Sequence, residues 1–89
     1  MPFTNFFGRV FVPTFAERLK ELRKAKGLTQ KALGELIEAS EGSIQSYELE
    51  YRAPTLAVIN KLADCFEVTT DYLLGRTDLK TLPATPDSP

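Results

Sequence analysis

Histidine and tryptophan are absent from this chain, and cysteine occurs once, as Cys65. One thiol cannot close an internal disulfide. With no histidine beside it, neither the common nucleophile–base relays nor a transition-metal ligand set can be assembled. No catalytic residue, no metal and no cofactor is therefore expected, and an enzyme is not the reading. No apolar run approaches the length that crosses a bilayer. The apolar N-terminus lacks a basic leader and a small-residue cleavage site, so a cytoplasmic protein is expected rather than a secreted one. A basic excess is missing too: 11 lysines and arginines face 12 acids, for a net charge of −1. That balance runs against the surplus common among nucleic-acid binders.

What is present suits one small globular domain. The chain has 89 residues, 43% hydrophobic and 26% charged, enough for one modest core and not for two. Its charge is unevenly placed. Arg18, Lys20, Arg23, Lys24, Lys26 and Lys31 lie in a stretch whose only acid is Glu21. The acids gather later, at Glu35, Glu38, Glu41, Glu48, Glu50, Asp64, Glu67 and Asp71. A dipolar domain can turn a basic edge toward phosphate even when its sum is slightly negative.

Residues 1–14 hold four phenylalanines and two valines without helical period, and the β-forming run from Phe7 to Val12 is closed by Pro13. A short extended N-terminal arm is expected there. Helical signals follow. Thr14 and Glu17 fit a capping box, Phe15, Leu19 and Leu22 repeat at helical spacing, and Gly27 supplies a stop, which predicts a helix over 15–26. Thr29 caps a second helix with Ala32, Leu33, Leu36 and Ile37 as its apolar positions. Ser40 caps a third that turns Ile44 and Tyr47 inward and Glu41 and Gln45 outward. Only Glu38 and Ala39 separate the two, the tight corner of a helix-turn-helix unit. Pro54 and Thr55 open a fourth helix with Leu56, Ile59, Leu62, Ala63 and Phe66 on one face. Thr69 caps a last short helix carrying Tyr72, Leu73 and Leu74, stopped by Gly75. Cys65, beside Phe66, reads as a small buried hydrophobe. Residues 76–89, rich in proline and threonine beyond Lys80, read as a flexible C-terminal tail.

From Leu28 to Gly75 the sequence resembles the Cro/repressor helix-turn-helix (XRE) family. The landmarks are Leu28-Thr29-Gln30, Ser40, Ile44, Tyr47-Glu48, Pro54-Thr55 and the closing run Val68 to Gly75. With the first helix included, about sixty residues resemble the whole family domain, and five helices punctuated in this order are a far more specific signal than a lone helix-turn-helix. The resemblance implies an all-α, five-helix repressor-like domain over residues 15–75, and a protein that binds double-stranded operator DNA as a dimeric transcriptional regulator of the repressor kind. The third helix would lie in the major groove while the second crosses the backbone. Glu41, Gly42 and Ser46 then occupy base-reading places, with Gln45 as their neighbour. Gln30 occupies a phosphate-contacting place, helped by exposed amides and the helix dipole. Ser43, Tyr47 and Arg52 are the other backbone contacts, although Tyr47 also reads as core. Arg23 and Glu48 match a pair that ties the first helix to the third, read here as fold-stabilising.

The chain departs from the family pattern at several points. Gly34 stands where the family usually has alanine, a small residue that permits close packing of the recognition helix at a cost of roughly 1 kcal/mol in helix propensity. Glu38 and Glu67 stand where a helix-ending glycine is usual, so their corners are expected to be either strained or wound differently, and Glu50 replaces a loop glycine. Glu41 suits recognition of a cytosine amino group, and equally suits the dipole of its own helix. The acids near the presumed duplex keep a second function open, in which the same fold serves as a protein-interaction module of antitoxin or anti-repressor type with little DNA binding. The partners expected are operator DNA and a second copy of the chain, with a protein regulator as a further class. The closing helix and the apolar arm, with Phe3, Phe6, Phe7, Val10, Phe11 and Val12, are the two candidate dimer surfaces.

Overall fold

The computed structural model describes residues 14–81. Five α-helices follow one another: α1 (Phe15–Ala25), α2 (Gln30–Leu36), α3 (Glu41–Glu48), α4 (Leu56–Phe66) and α5 (Thr70–Leu73). Each starts where a hydroxyl can accept an orphan backbone N–H. Thr14 accepts from the Glu17 amide at 3.2 Å, and Glu17 Oε1 accepts from the Thr14 amide at 2.9 Å, which completes the capping box. Thr29, Ser40, Thr55 and Thr69 accept in the same way from Ala32, Ser43, Val58 and Tyr72, at 3.0–3.2 Å. Loss of one such cap costs typically about 1 kcal/mol.

The corners also follow from the sequence. Gly27 ends α1 with φ 69°, and Gly75 follows α5 with φ 80°. Glu38, Glu50 and Glu67 have φ of 61°, 64° and 57°, so all three take the left-handed conformation that glycine adopts most easily. At Gly34 the backbones nearly touch. An added Cβ would lie 2.7 Å from the Ala39 carbonyl oxygen, and the Ala39 amide donates to the Gly34 carbonyl at 2.7 Å. The turn between α2 and α3 therefore lies directly on this residue.

Every helix sends one fully buried side chain to the centre: Leu19, Leu33, Ile44, Leu62 and Leu73 each have 0% exposure. Leu22, Ile37, Tyr47, Ala63, Phe66 and Tyr72 complete the core. Two positions expected to be inward are not. Leu36, the last residue of the seven-residue α2, is 61% exposed, because Leu33 and Ile37 already fill that helix's contact. Leu56 is 73% exposed because it opens α4 ahead of the packed turns. Cys65 is half-buried on α4, and burial pushes its thiol pKa up, against a smaller opposing effect of the Lys26 charge.

Residues 76–81, expected as the start of a flexible tail, are tied back to the domain. The Arg76 amide donates to the Asp71 carbonyl and the Thr69 amide to the Lys80 carbonyl, both at 2.8 Å. Arg18 reaches the same segment from α1. Its guanidinium lies 3.9 Å from the Tyr72 ring centroid and donates to Asp78 at 2.8 Å. The tether is a cation stacked on an aromatic face, an arrangement strengthened by burial. The N-terminal arm and residues 82–89 lie outside the described residues. The closing helix offers less to a partner than expected, because Tyr72 and Leu73 are consumed by the protein's own core and only Leu74 stays half-exposed.

Candidate nucleic-acid interface

The third helix is the element on which the site is built, and its phase decides what it presents. Ile44 and Tyr47 point into the core, while Glu41, Gly42 and Gln45 are exposed and Ser46 is half-exposed. The base-reading candidates thus share one accessible face at the N-terminal end of α3. Gly42 adds a shape feature. A Cβ there would meet nothing nearer than Ser40 Oγ at 3.9 Å. The fold does not require glycine at this point, and its absence of side chain leaves room for an approaching surface.

Groups suited to phosphate flank that face on two sides. On one side Ser43, Tyr47 and Arg52 come together. Arg52 lies 5.5 Å from the Tyr47 ring centroid and donates to Ser43 Oγ at 3.4 Å, while Ser40 Oγ bonds Ser43 Oγ at 3.0 Å. Tyr47 itself is 4% exposed and packs edge-on against Phe15, so its ring serves the core. On the other side stands Gln30, at the start of α2. Between α1, α2 and α3 a groove of ≈ 470 Å³ is lined by Lys20, Lys24, Gln30, Glu41 and Gln45 among others. Lys20 and Lys24 were legible only as members of a basic stretch. Their four-residue spacing, which places both on one helical face, was the available signal.

The basic edge is narrower than the sequence suggests. Arg18 is buried against Tyr72 and Asp78, and Arg23 is committed to Glu48. Lys20, Lys24, Lys26 and Lys31 remain exposed. Arg23 Nε donates to Glu48 Oε2 at 2.6 Å, its Nη2 to Glu48 Oε1 at 3.0 Å, and its Nη1 to the Leu28 carbonyl at 2.8 Å. The Glu48 hydrogen bond raises the Arg23 pKa above its ordinary value, although burial opposes it. Removing one partner of such a buried pair typically costs about 3–5 kcal/mol, because the other charge is left uncompensated. This supports the fold-stabilising reading of the pair. A feature outside that reading is that Gln30 Nε2 also donates to Glu48 Oε1, at 3.1 Å.

Among the described residues no group of His, Cys, Asp and Glu could hold a metal ion, and no helix is long and apolar enough to cross a membrane. The helix-turn-helix family profile matches residues 19–73. The HTH-type transcriptional regulator ImmR of Bacillus subtilis is 36% identical over 66 residues, 74% of this chain and 52% of its own length. The cryptic phage CTXphi transcriptional repressor RstR of Vibrio cholerae is 38% identical over 60 residues, 67% of this chain and 54% of its own length. The chain thus spans about half the length of these curated relatives. Among solved structures, the P22 c2 repressor protein in complex with a synthetic operator superposes with a TM-score of 0.69 at 26% identity, covering 73% of this chain and 98% of that one.

Proposed function

The chain belongs to the helix-turn-helix family of XRE-type DNA-binding transcriptional regulators, and from that premise we propose that it is a cytoplasmic, non-enzymatic repressor that binds a two-fold operator as a dimer. The exposed α3 face carries this reading, because its base-reading candidates lie between two sets of phosphate-binding groups. Docked in the major groove, α3 would turn Glu41, Gly42, Gln45 and Ser46 to base edges. Gln30 would meet one backbone wall, and Ser43 and Arg52 the other, with only the Tyr47 hydroxyl left to reach a phosphate. A symmetric partner would read a second half-site about 34–36 Å away. With Tyr72 and Leu73 buried, the apolar N-terminal arm becomes the stronger candidate for dimer contact.

Selection of bound duplexes from a random pool tests the proposal. A palindromic site should emerge. Replacing Gln45 and Ser46 together with alanine should change its sequence, at roughly 1–3 kcal/mol for each lost base contact. The logarithm of the affinity should fall linearly with the logarithm of the salt concentration, as counterion release requires. The exposed acids Glu38, Glu41 and Glu50 favour the rival reading, a protein-interaction module. No duplex binding even at low salt would overturn the repressor reading and support that rival.

A further inference from the structure

We propose that Glu48 is a positioning residue for DNA binding, whose buried carboxylate fixes the Gln30 amide in the pose that grips a phosphate. The proposal rests on the reading of Gln30 as a backbone contact. It starts from a hydrogen-bond count. The Glu48 side chain is 4% exposed and accepts three N–H groups, two from Arg23 and one from Gln30. The first pair alone would satisfy a fold-stabilising role. The third recruits a half-exposed side chain from α2.

A glutamine amide is ambiguous on its own, since its nitrogen donates and its oxygen accepts. An ionised carboxylate only accepts, so the nitrogen is the end held beside Glu48. That nitrogen carries a second hydrogen, which stays available to an acceptor arriving from outside. The side chain is therefore ordered before DNA arrives, and binding need not freeze a mobile glutamine. Arg23 has a part in the same arrangement. Its two-pronged contact cancels the carboxylate charge that would otherwise stand close to an incoming phosphate. One residue from each of α1, α2 and α3 thus meets at a single carboxylate.

The test keeps the fold while changing the acceptor. The full-length variants Arg23→Met/Glu48→Gln and Arg23→Met/Glu48→Leu both remove the ion pair and leave no unpaired buried charge. Only the glutamine version keeps an oxygen for Gln30. Binding to a mixed-sequence duplex of about two helical turns is measured at low salt, since a phosphate contact needs no particular sequence. The leucine version should bind about tenfold more weakly, the scale of one hydrogen bond to a charged group. In a Gln30→Ala background that difference should vanish. Equal binding by the two versions overturns the proposal, and so does a difference that survives Gln30→Ala. If the parent binds and Gln30→Ala leaves affinity unchanged, the reading of Gln30 itself fails; if the parent binds no duplex, the repressor reading fails. Nuclear relaxation on the unsubstituted protein is an independent check. The Gln30 side-chain amide should be as ordered as the backbone, and an order parameter below about 0.6 overturns the proposal whatever the variants do.

Discussion

Replacing Glu67 with glycine should make the domain more stable. Glu67 caps α4 at φ 57° and ψ 44°, and its amide donates to the Ala63 and Asp64 carbonyls. A side chain in this left-handed conformation costs roughly 1–2 kcal/mol. Glycine removes that cost and returns part of it, about 0.5–1 kcal/mol, through the extra freedom of the unfolded chain. The net gain should be about 0.5–1 kcal/mol. Glu67 is the cleanest of the three strained corners. Glu38 lies 3.4 Å from Lys61, and Glu50 accepts from the Thr14 hydroxyl at 3.4 Å, so substitution there also removes a contact. For a domain of this size the gain corresponds to a Tm rise of about 2–8 °C, readable by circular dichroism. Glu67→Ala is the control, because it deletes the side chain yet keeps a Cβ in the left-handed region. It should match the parent to within about 0.5 kcal/mol. If glycine and alanine give the same Tm, the corner is not strained and the account of it is wrong.

Three further outcomes are expected. Ile44→Ala removes a side chain with no exposure from the helix that presents the interface, and should cost about 2–5 kcal/mol by urea unfolding; a parent-like midpoint would place Ile44 outside the core. Arg18→Ala should destabilise clearly more than Asp78→Ala, because Arg18 is buried on Tyr72 whereas the Asp78 side chain is 93% exposed and screened by solvent; equal effects would mean the ion pair, not the stacking, holds residues 76–81. Cys65, with its thiol pKa raised by burial, disfavours the thiolate in the folded state. Its stability contribution is present below the unfolded thiol pKa and is lost as pH rises past it. Alkylation should be slower than in the urea-unfolded chain and rise at higher pH, and equal rates would show the thiol to be free.

Local chemistry explains which parts of this fold were legible in the sequence. Thr14, Thr29, Ser40, Thr55 and Thr69 announce the helix starts because a cap needs only its own next three residues. Ile44 and Tyr47 reveal the phase of α3 by spacing alone. Glu38, Glu50 and Glu67 mark corners through the glycine they replace. Contacts between distant residues were not legible. Nothing near Arg18 in sequence signals that a guanidinium will be buried on Tyr72, since charged residues are exposed by default. Asp78 and Lys80 stand in a stretch whose composition suggests freedom, yet α1 and α5 hold it. The bond from Gln30 to Glu48 joins residues eighteen apart, and no periodicity of either helix reports it. The site follows the same division: the α3 face and the four-residue spacing of Lys20 and Lys24 were readable, while the carboxylate beneath Gln30 needed the packed helices.

The five hydroxyl caps have a consequence for conditions rather than for shape. Aspartate or asparagine would cap as well as serine or threonine, but every helix here begins with an alcohol. An alcohol does not ionise at any pH the folded chain will meet, and salt does not screen a neutral acceptor. Only the Glu17 arm of the α1 box carries charge. The hydroxyl caps should therefore keep their strength through the acid and ionic-strength ranges that weaken charged caps, while the first-turn carboxylates Glu41 and Asp71 lose theirs. The proposed docking brings the starts of α2 and α3 toward the duplex, and Thr29 and Ser40 cap them there without setting a carboxylate against a phosphate.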